Sequence, residues 1–88
     1  MSSMQQTKKE IVMYSTTWCP DCRRAKAWFN EHGIAYRDIN IEEDEKAVAF
    51  VQKINKGRKT IPTIIFPDGD ILVEPTNNKL EAKMQSLE

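Results

Sequence analysis

Only two of this chain's 88 residues are cysteine, one is histidine and three are glycine. Two cysteines cannot build a disulfide scaffold, which needs several bridges across a loop-rich fold. Together with His32 they also fall short of the four ligands that a structural zinc site takes from one chain. Net charge is missing too: 13 Lys and Arg balance 13 Asp and Glu. That balance leaves no field to draw nucleic acid or an anionic membrane surface, so neither is expected as a partner. The longest apolar runs are a few residues, far below a membrane span. Residues 1–10 carry no hydrophobic stretch of the kind a secretion signal needs. A cytoplasmic location is the expectation. In that reducing compartment a lone cysteine pair is more often reactive or metal-binding than structural.

The remaining residues fit one domain: a polar tail over 1–8, then a single domain over 9–88, without repeats, linkers or low-complexity tracts. Ile11-Val12-Met13-Tyr14 is a short apolar run inside a strand over 9–15. Pro20 suits the first position of a helix, where a missing N–H costs nothing. Cys22, Ala25 and Phe29 then recur at helical spacing and Gly33 stops the helix, giving a span of 20–31. Near-alternation over 34–41 predicts a second strand. Four acids at 42–45 favour a helix N-terminus; Ala47, Val51 and Ile54 mark the buried face of that helix, and Gly57 ends it. Thr63-Ile64-Ile65-Phe66 is a third strand, Pro67-Asp68-Gly69-Asp70 a turn, and Ile71-Leu72-Val73 the returning strand of a hairpin. Pro75 and Thr76 open a last helix with Leu80, Met84 and Leu87 inward. The order βαβ, α, ββ, α predicts an α/β domain: a parallel pair with a right-handed crossover, then a hairpin, making a four-stranded mixed sheet flanked by helices.

Trp18-Cys19-Pro20-Asp21-Cys22 carries the chemistry. Cysteines three apart on a helix share a face, their Cβ atoms about 5–6 Å apart, near enough to close a disulfide after a small adjustment. With Pro20 as the first helical residue, Cys19 is the N-cap. Its sulfur then faces the free amides of Asp21 and Cys22 and the positive end of the helix dipole. Such sites favour the thiolate and lower a cysteine's pKa from about 8.5 to about 3.5–7.5. Cys22, one turn further in, stays protonated among apolar neighbours. Cys19 is therefore the candidate attacking thiol and Cys22 the resolving one. Asp21 places a carboxylate between them, which opposes the thiolate and makes the pair more reducing, with Arg23 and Arg24 offsetting part of that effect.

Two other readings of the pair stay open: half of a zinc site shared between two chains, or an inert structural pair. His32, beside Gly33, reads as a solvated cation at a helix C-terminus. Trp18 adjoins the nucleophile and reads as its shield, Trp28 as packing.

Tyr14-Ser15-Thr16-Thr17-Trp18-Cys19-Pro20-Asp21-Cys22, followed some forty residues later by Thr60-Ile61-Pro62, resembles the dithiol glutaredoxins. The likeness covers nearly the whole chain beyond its tail. It implies a thioredoxin fold, Cys19 as nucleophile, Cys22 as resolving cysteine, and Trp18, Pro20 and Asp21 as the supporting loop. It also implies a cis Ile61–Pro62 bond, with Thr60, Ile61 and Pro62 lining the thiol-substrate site. There the backbone of Ile61 pairs with an extended cysteine segment, a form of strand addition. The departures carry information as well. Many glutathione-using members have Lys where this chain has Thr16 and Tyr where it has Asp21. They also have a Gly-Gly pair and an Asp after the fourth strand, where this chain reads Val73-Glu74-Pro75-Thr76-Asn77-Asn78. Glu74 would repel a ligand carboxylate, while Thr76 and Asn77 remain donors at a helix N-terminus. Phe66-Pro67-Asp68-Gly69 with Pro75 is closer to the mycoredoxin-like branch, whose members work with mycothiol or related small thiols. Lys56, Arg58 and Lys59 offer a basic lip for such an anionic thiol.

The expectation is a monomeric thiol–disulfide oxidoreductase acting on disulfide-bearing proteins or on mixed disulfides. It holds no bound cofactor or metal and uses a low-molecular-weight thiol, glutathione, mycothiol or similar, as co-substrate. The alternatives are a thioredoxin-like electron donor to one enzyme, recharged by a flavoprotein reductase, and a thioredoxin-fold binding module whose cysteines are structural or metal-bridging.

Overall fold

The computed structural model describes residues 10–87. The tail expected over 1–8, the strand's expected first residue Lys9, and Glu88 lie outside that span. In chain order the elements are β1 (Val12–Ser15), α1 (Pro20–Glu31), β2 (Arg37–Asn40), a 3-10 turn (Ile41–Glu43), α2 (Glu45–Ile54), β3 (Thr63–Ile65), β4 (Ile71–Val73) and α3 (Asn77–Ser86). The strands form one sheet in the order β2-β1-β3-β4. β2 runs parallel to β1, and β3 pairs antiparallel with both β1 and β4. Tyr14 stands opposite Ile39 on one side and Thr63 on the other. This is the mixed α/β architecture that the spacing of strand and helix signals predicts.

Side chains alternate across a sheet, and the alternation here divides the interior in two. Met13 and Ile64 meet Ala25, Trp28 and Phe29 of α1 and Leu80 of α3, with Phe66 completing the cluster. Met84 of α3 and Leu87, the C-cap residue of that helix, pack against it, as their spacing predicts. Phe29 and Leu80 are fully buried, and side chains of that size contribute about 1.5–3 kcal/mol each on leaving water. Tyr14 and Ile39 belong to the other cluster, where Ala47 and Val51 of α2 pack together with both cysteines.

The limits of β2, α2 and β3 differ from the sequence reading, each for a local reason. β2 is shorter than 34–41. Ile34 donates its amide to the Phe29 carbonyl at 2.9 Å, closing α1 rather than starting a ladder. At the other end Asn40 caps the 3-10 turn by accepting from Glu42 N at 3.0 Å. The four acids do not all open α2. Asp44 is its N-cap, accepting from Lys46 N and Ala47 N, so Glu42 and Glu43 sit in the separate turn before it. α2 also ends earlier than Gly57, at the C-cap Asn55. The reversal is shared by Lys56 (φ 57°) and Gly57 (φ 95°). β3 stops at Ile65 because the turn after it is already closing, with Gly69 N donating to the Phe66 carbonyl at 2.8 Å.

Candidate active site

β1 delivers the chain to the mouth of α1, and the site is built there. Cys19 is the N-cap residue in extended backbone (φ −80°, ψ 118°), with Pro20 at the first helical position. The Cys22 amide donates to Cys19 Sγ at 3.2 Å. Of the two amides expected to face that sulfur, Cys22's makes the hydrogen bond. Both cysteines are unbridged and buried; Cys19 keeps 6% of its surface, whereas Cys22 keeps none.

That difference separates the two thiols. Burial, and next the hydrogen bond that its own S–H donates to Cys19, push the Cys22 thiol from the ordinary 9.0 up to about 12. The Thr16 backbone amide and the Lys26 charge pull weakly the other way. The consequence for stability follows from linkage. The folded chain holds this proton more tightly than the unfolded one, so the contribution is complete below about pH 9 and is lost as pH rises toward about 12. Unfolding free energy of the reduced protein, measured with urea, is expected to fall across that window. The Cys22 share is on the order of 1 kcal/mol per pH unit. Tyr14 and Tyr36, both raised by burial, add a slope of the same sign, but a Cys22→Ser variant keeps theirs and loses only the cysteine's. Identical slopes in the two proteins would refute the assignment.

Asp21 is half-buried between the cysteines, and its carboxylate pairs with Arg24 Nη1 at 3.2 Å. Arg24 reaches on through Nη2 to the Pro75 carbonyl at 2.9 Å, tying α1 to the segment that opens α3. Arg23 does not face Asp21; it is spent on the Thr17 carbonyl.

The other residues singled out from the sequence fall into separate places. Ile61 packs in the same cluster as Cys19 and Cys22, and the Ile61–Pro62 bond is cis. Trp18 is 60% exposed, and its indole Nε1–H donates to Glu42 Oε2 at 2.7 Å. With Thr16, Ile41, Val48, Lys59 and Ile61 these two residues line a cavity of about 260 Å³ at the loop that leads into Cys19. Thr60 faces a different, wider cleft of about 620 Å³ with Lys56, Arg58, Val73 and Glu74. The basic run therefore does not form one lip: Lys59 turns to the first cavity, Lys56 and Arg58 to the second. Thr76 caps α3 by accepting from Lys79 N at 3.2 Å. Asn77 begins that helix, and both are exposed. His32 stacks on Trp28 with ring centroids 4.1 Å apart.

Two polar features had escaped the sequence reading. Glu42 lies 24 residues from the indole it holds, and no local spacing signals such a pair. Thr16 is 3% exposed, and its Oγ1 has no hydrogen-bond partner among the described residues. No group of three or more His, Cys, Asp or Glu side chains is gathered to hold a metal ion among those residues. No helix among them is long and apolar enough to cross a membrane.

Fold and site together define a thioredoxin-fold protein with a cysteine pair at the mouth of its first helix. The glutaredoxin family model matches residues 11–72. A Mycobacterium tuberculosis protein named as a glutaredoxin is 36% identical over 74 residues, 84% of this chain and 88% of its own. Mycoredoxin 1 of Corynebacterium glutamicum is 31% identical over 77 residues, 88% of this chain and 95% of its own. Among solved structures, the glutaredoxin from Archaeoglobus fulgidus superposes with a TM-score of 0.69 over 93% of this chain and 92% of that one, at 21% identity, a likeness of fold. The chain belongs to the glutaredoxin family, on its mycoredoxin-like side, and is a thiol–disulfide oxidoreductase.

Proposed function

We propose that this protein reduces disulfide-bearing proteins, or their mixed disulfides with a small thiol, through Cys19 and Cys22. The Cys19 thiolate attacks one sulfur of the substrate disulfide. A Cys19–substrate disulfide forms and the other substrate sulfur leaves as a thiolate that takes up a proton. Cys22 then gives up its proton and attacks Cys19 Sγ, and the second substrate thiol leaves. The substrate has gained two electrons and two protons, and the protein holds a Cys19–Cys22 disulfide. A low-molecular-weight thiol returns it to the dithiol by the reverse exchange. One observation carries this reading: the Cys22 amide bonded to Cys19 Sγ at 3.2 Å. That contact points an amide donor at the outer sulfur, while burial keeps the proton on the inner thiol.

The backbone of Ile61, after Thr60 and before Pro62, receives the substrate's cysteine segment, and Thr76 and Asn77 offer donors at the start of α3. The likeness to a mycoredoxin supports mycothiol or a related thiol as the regenerating co-substrate. We place the protein in the cytoplasm, as a monomer in which residues 9–88 form the domain behind a short tail.

The test is regeneration. Oxidised protein is offered glutathione, mycothiol, bacillithiol, or thioredoxin reductase with NADPH, and the return of free thiols is followed in each. One of the small thiols is expected to act fastest. Recovery with the reductase alone would overturn the small-thiol reading in favour of a thioredoxin-like electron donor.

A further inference from the structure

We propose that Glu42 is a positioning residue for substrate entry: it holds the Trp18 ring as a fixed wall of the cavity at the loop that leads into Cys19. The proposal rests on Cys19 being the attacking sulfur and goes on to say what shapes the approach to it.

Packing does not hold Trp18. Among the described residues it is the most exposed of the large hydrophobic side chains, and its ring stacks on no other aromatic there. Its anchor is the 2.7 Å hydrogen bond from Nε1–H to Glu42 Oε2. Hydrogen bonds to a charged acceptor are shorter and stronger than neutral ones. The acceptor is itself fixed at its root, because Glu42 N donates to Asn40 Oδ1 at 3.0 Å in a turn that leads straight into the Asp44 cap of α2. The β2–α2 connection thus reaches across to the active-site loop and sets where the indole stands.

The cavity that this ring walls has the features of a place for substrate. Its floor includes Ile41 and Ile61, which belong to the packed cluster around Cys19. It also contains Thr16, whose buried hydroxyl lacks a partner among the described residues. Buried polar groups are seldom left unpaired, and a donor in this position is matched by an acceptor on whatever enters, such as a backbone carbonyl of an extended substrate chain. A wall already in place spares the substrate the ordering of a loose side chain on binding. Glu42 therefore acts on substrate affinity without touching the sulfurs.

The test compares Glu42→Ala with Glu42→Gln, whose amide oxygen still accepts an indole N–H. Reduction of insulin disulfides, driven by dithiothreitol, gives KM and kcat. Amide and indole NMR spectra, with the Trp18 resonance assigned from a Trp18→Phe variant, report the ring directly. For Glu42→Ala, KM is expected to rise about three- to tenfold, the factor for one net hydrogen bond, with kcat within about twofold. The Trp18 indole proton should move and exchange faster with water. Glu42→Gln should recover most of both. The proposal is overturned if KM is unchanged in Glu42→Ala, if kcat falls in its place, if Glu42→Gln is as impaired as Glu42→Ala, or if the indole resonance stays where it was. Should the unaltered protein fail to reduce insulin, the reading of its reaction fails, and the indole resonance still decides whether Glu42 holds the ring.

Discussion

Cys19→Ser is expected to lose disulfide reduction almost entirely, with kcat/KM down by about 10³-fold or more, equivalent to about 4 kcal/mol of barrier. The thiolate is the species that exchanges with a disulfide. A serine oxygen stays protonated at neutral pH and forms no disulfide. What makes the experiment clean is the position of the residue. Cys19 is the N-cap of α1 and accepts the Cys22 amide, and serine is among the preferred residues for that task. The variant therefore keeps its helix cap, and its thermal midpoint should match or exceed that of the parent. Loss of activity with an intact fold assigns the chemistry to the sulfur. Retention of more than about 1% of kcat/KM would remove Cys19 from the role of nucleophile.

The sequence disclosed those parts of the site that are made by neighbours along the chain. Pro20 at the first helical position and the three-residue spacing of the cysteines are local facts. They suffice to put Cys19 at the cap and Cys22 one turn inside. The element order was legible for the same reason, since apolar period and turn residues mark each piece within a dozen positions. What stayed hidden depends on pairing at a distance. Ile34 and Ile41 look like strand ends because they are apolar, but Ile34 closes the helix before it and Ile41 opens the turn after it. Lys56, Arg58 and Lys59 look like one patch, and the reversal after α2 deals them to two different clefts. The Trp18–Glu42 bond joins residues from the segments that follow two parallel neighbours in the sheet, and the pairing of β1 with β2 brings those segments together. Thr16 carries no local signal either, since the orphaned state of its hydroxyl among the described residues is a property of packing alone.

That division between an outer and an inner sulfur leads to the second large effect. Cys22→Ser should stop the reaction halfway, leaving the substrate attached to Cys19. In the proposed mechanism resolution is intramolecular, and a reacting group held in place acts at an effective concentration far above that of any thiol in solution. Without Cys22 the mixed disulfide waits for an external thiol, and its lifetime at micromolar thiol should lengthen by at least about a hundredfold. Intact-mass measurement after mixing with a cystine-containing peptide checks this. The variant should carry one added peptide half, while the unaltered protein should show only its internal disulfide. The pH dependence adds a second reading of the same step. Burial, the largest of the causes that hold the Cys22 proton in place, persists when Cys19 carries the substrate, so the attacking thiolate is scarce at neutral pH. Clearance of the adduct from the unaltered protein should therefore accelerate as pH rises from 7 to 9. A variant that sheds its peptide as fast as the parent, or a parent whose clearance ignores pH, would place the resolving proton elsewhere. The buried sulfur would then be packing, not chemistry.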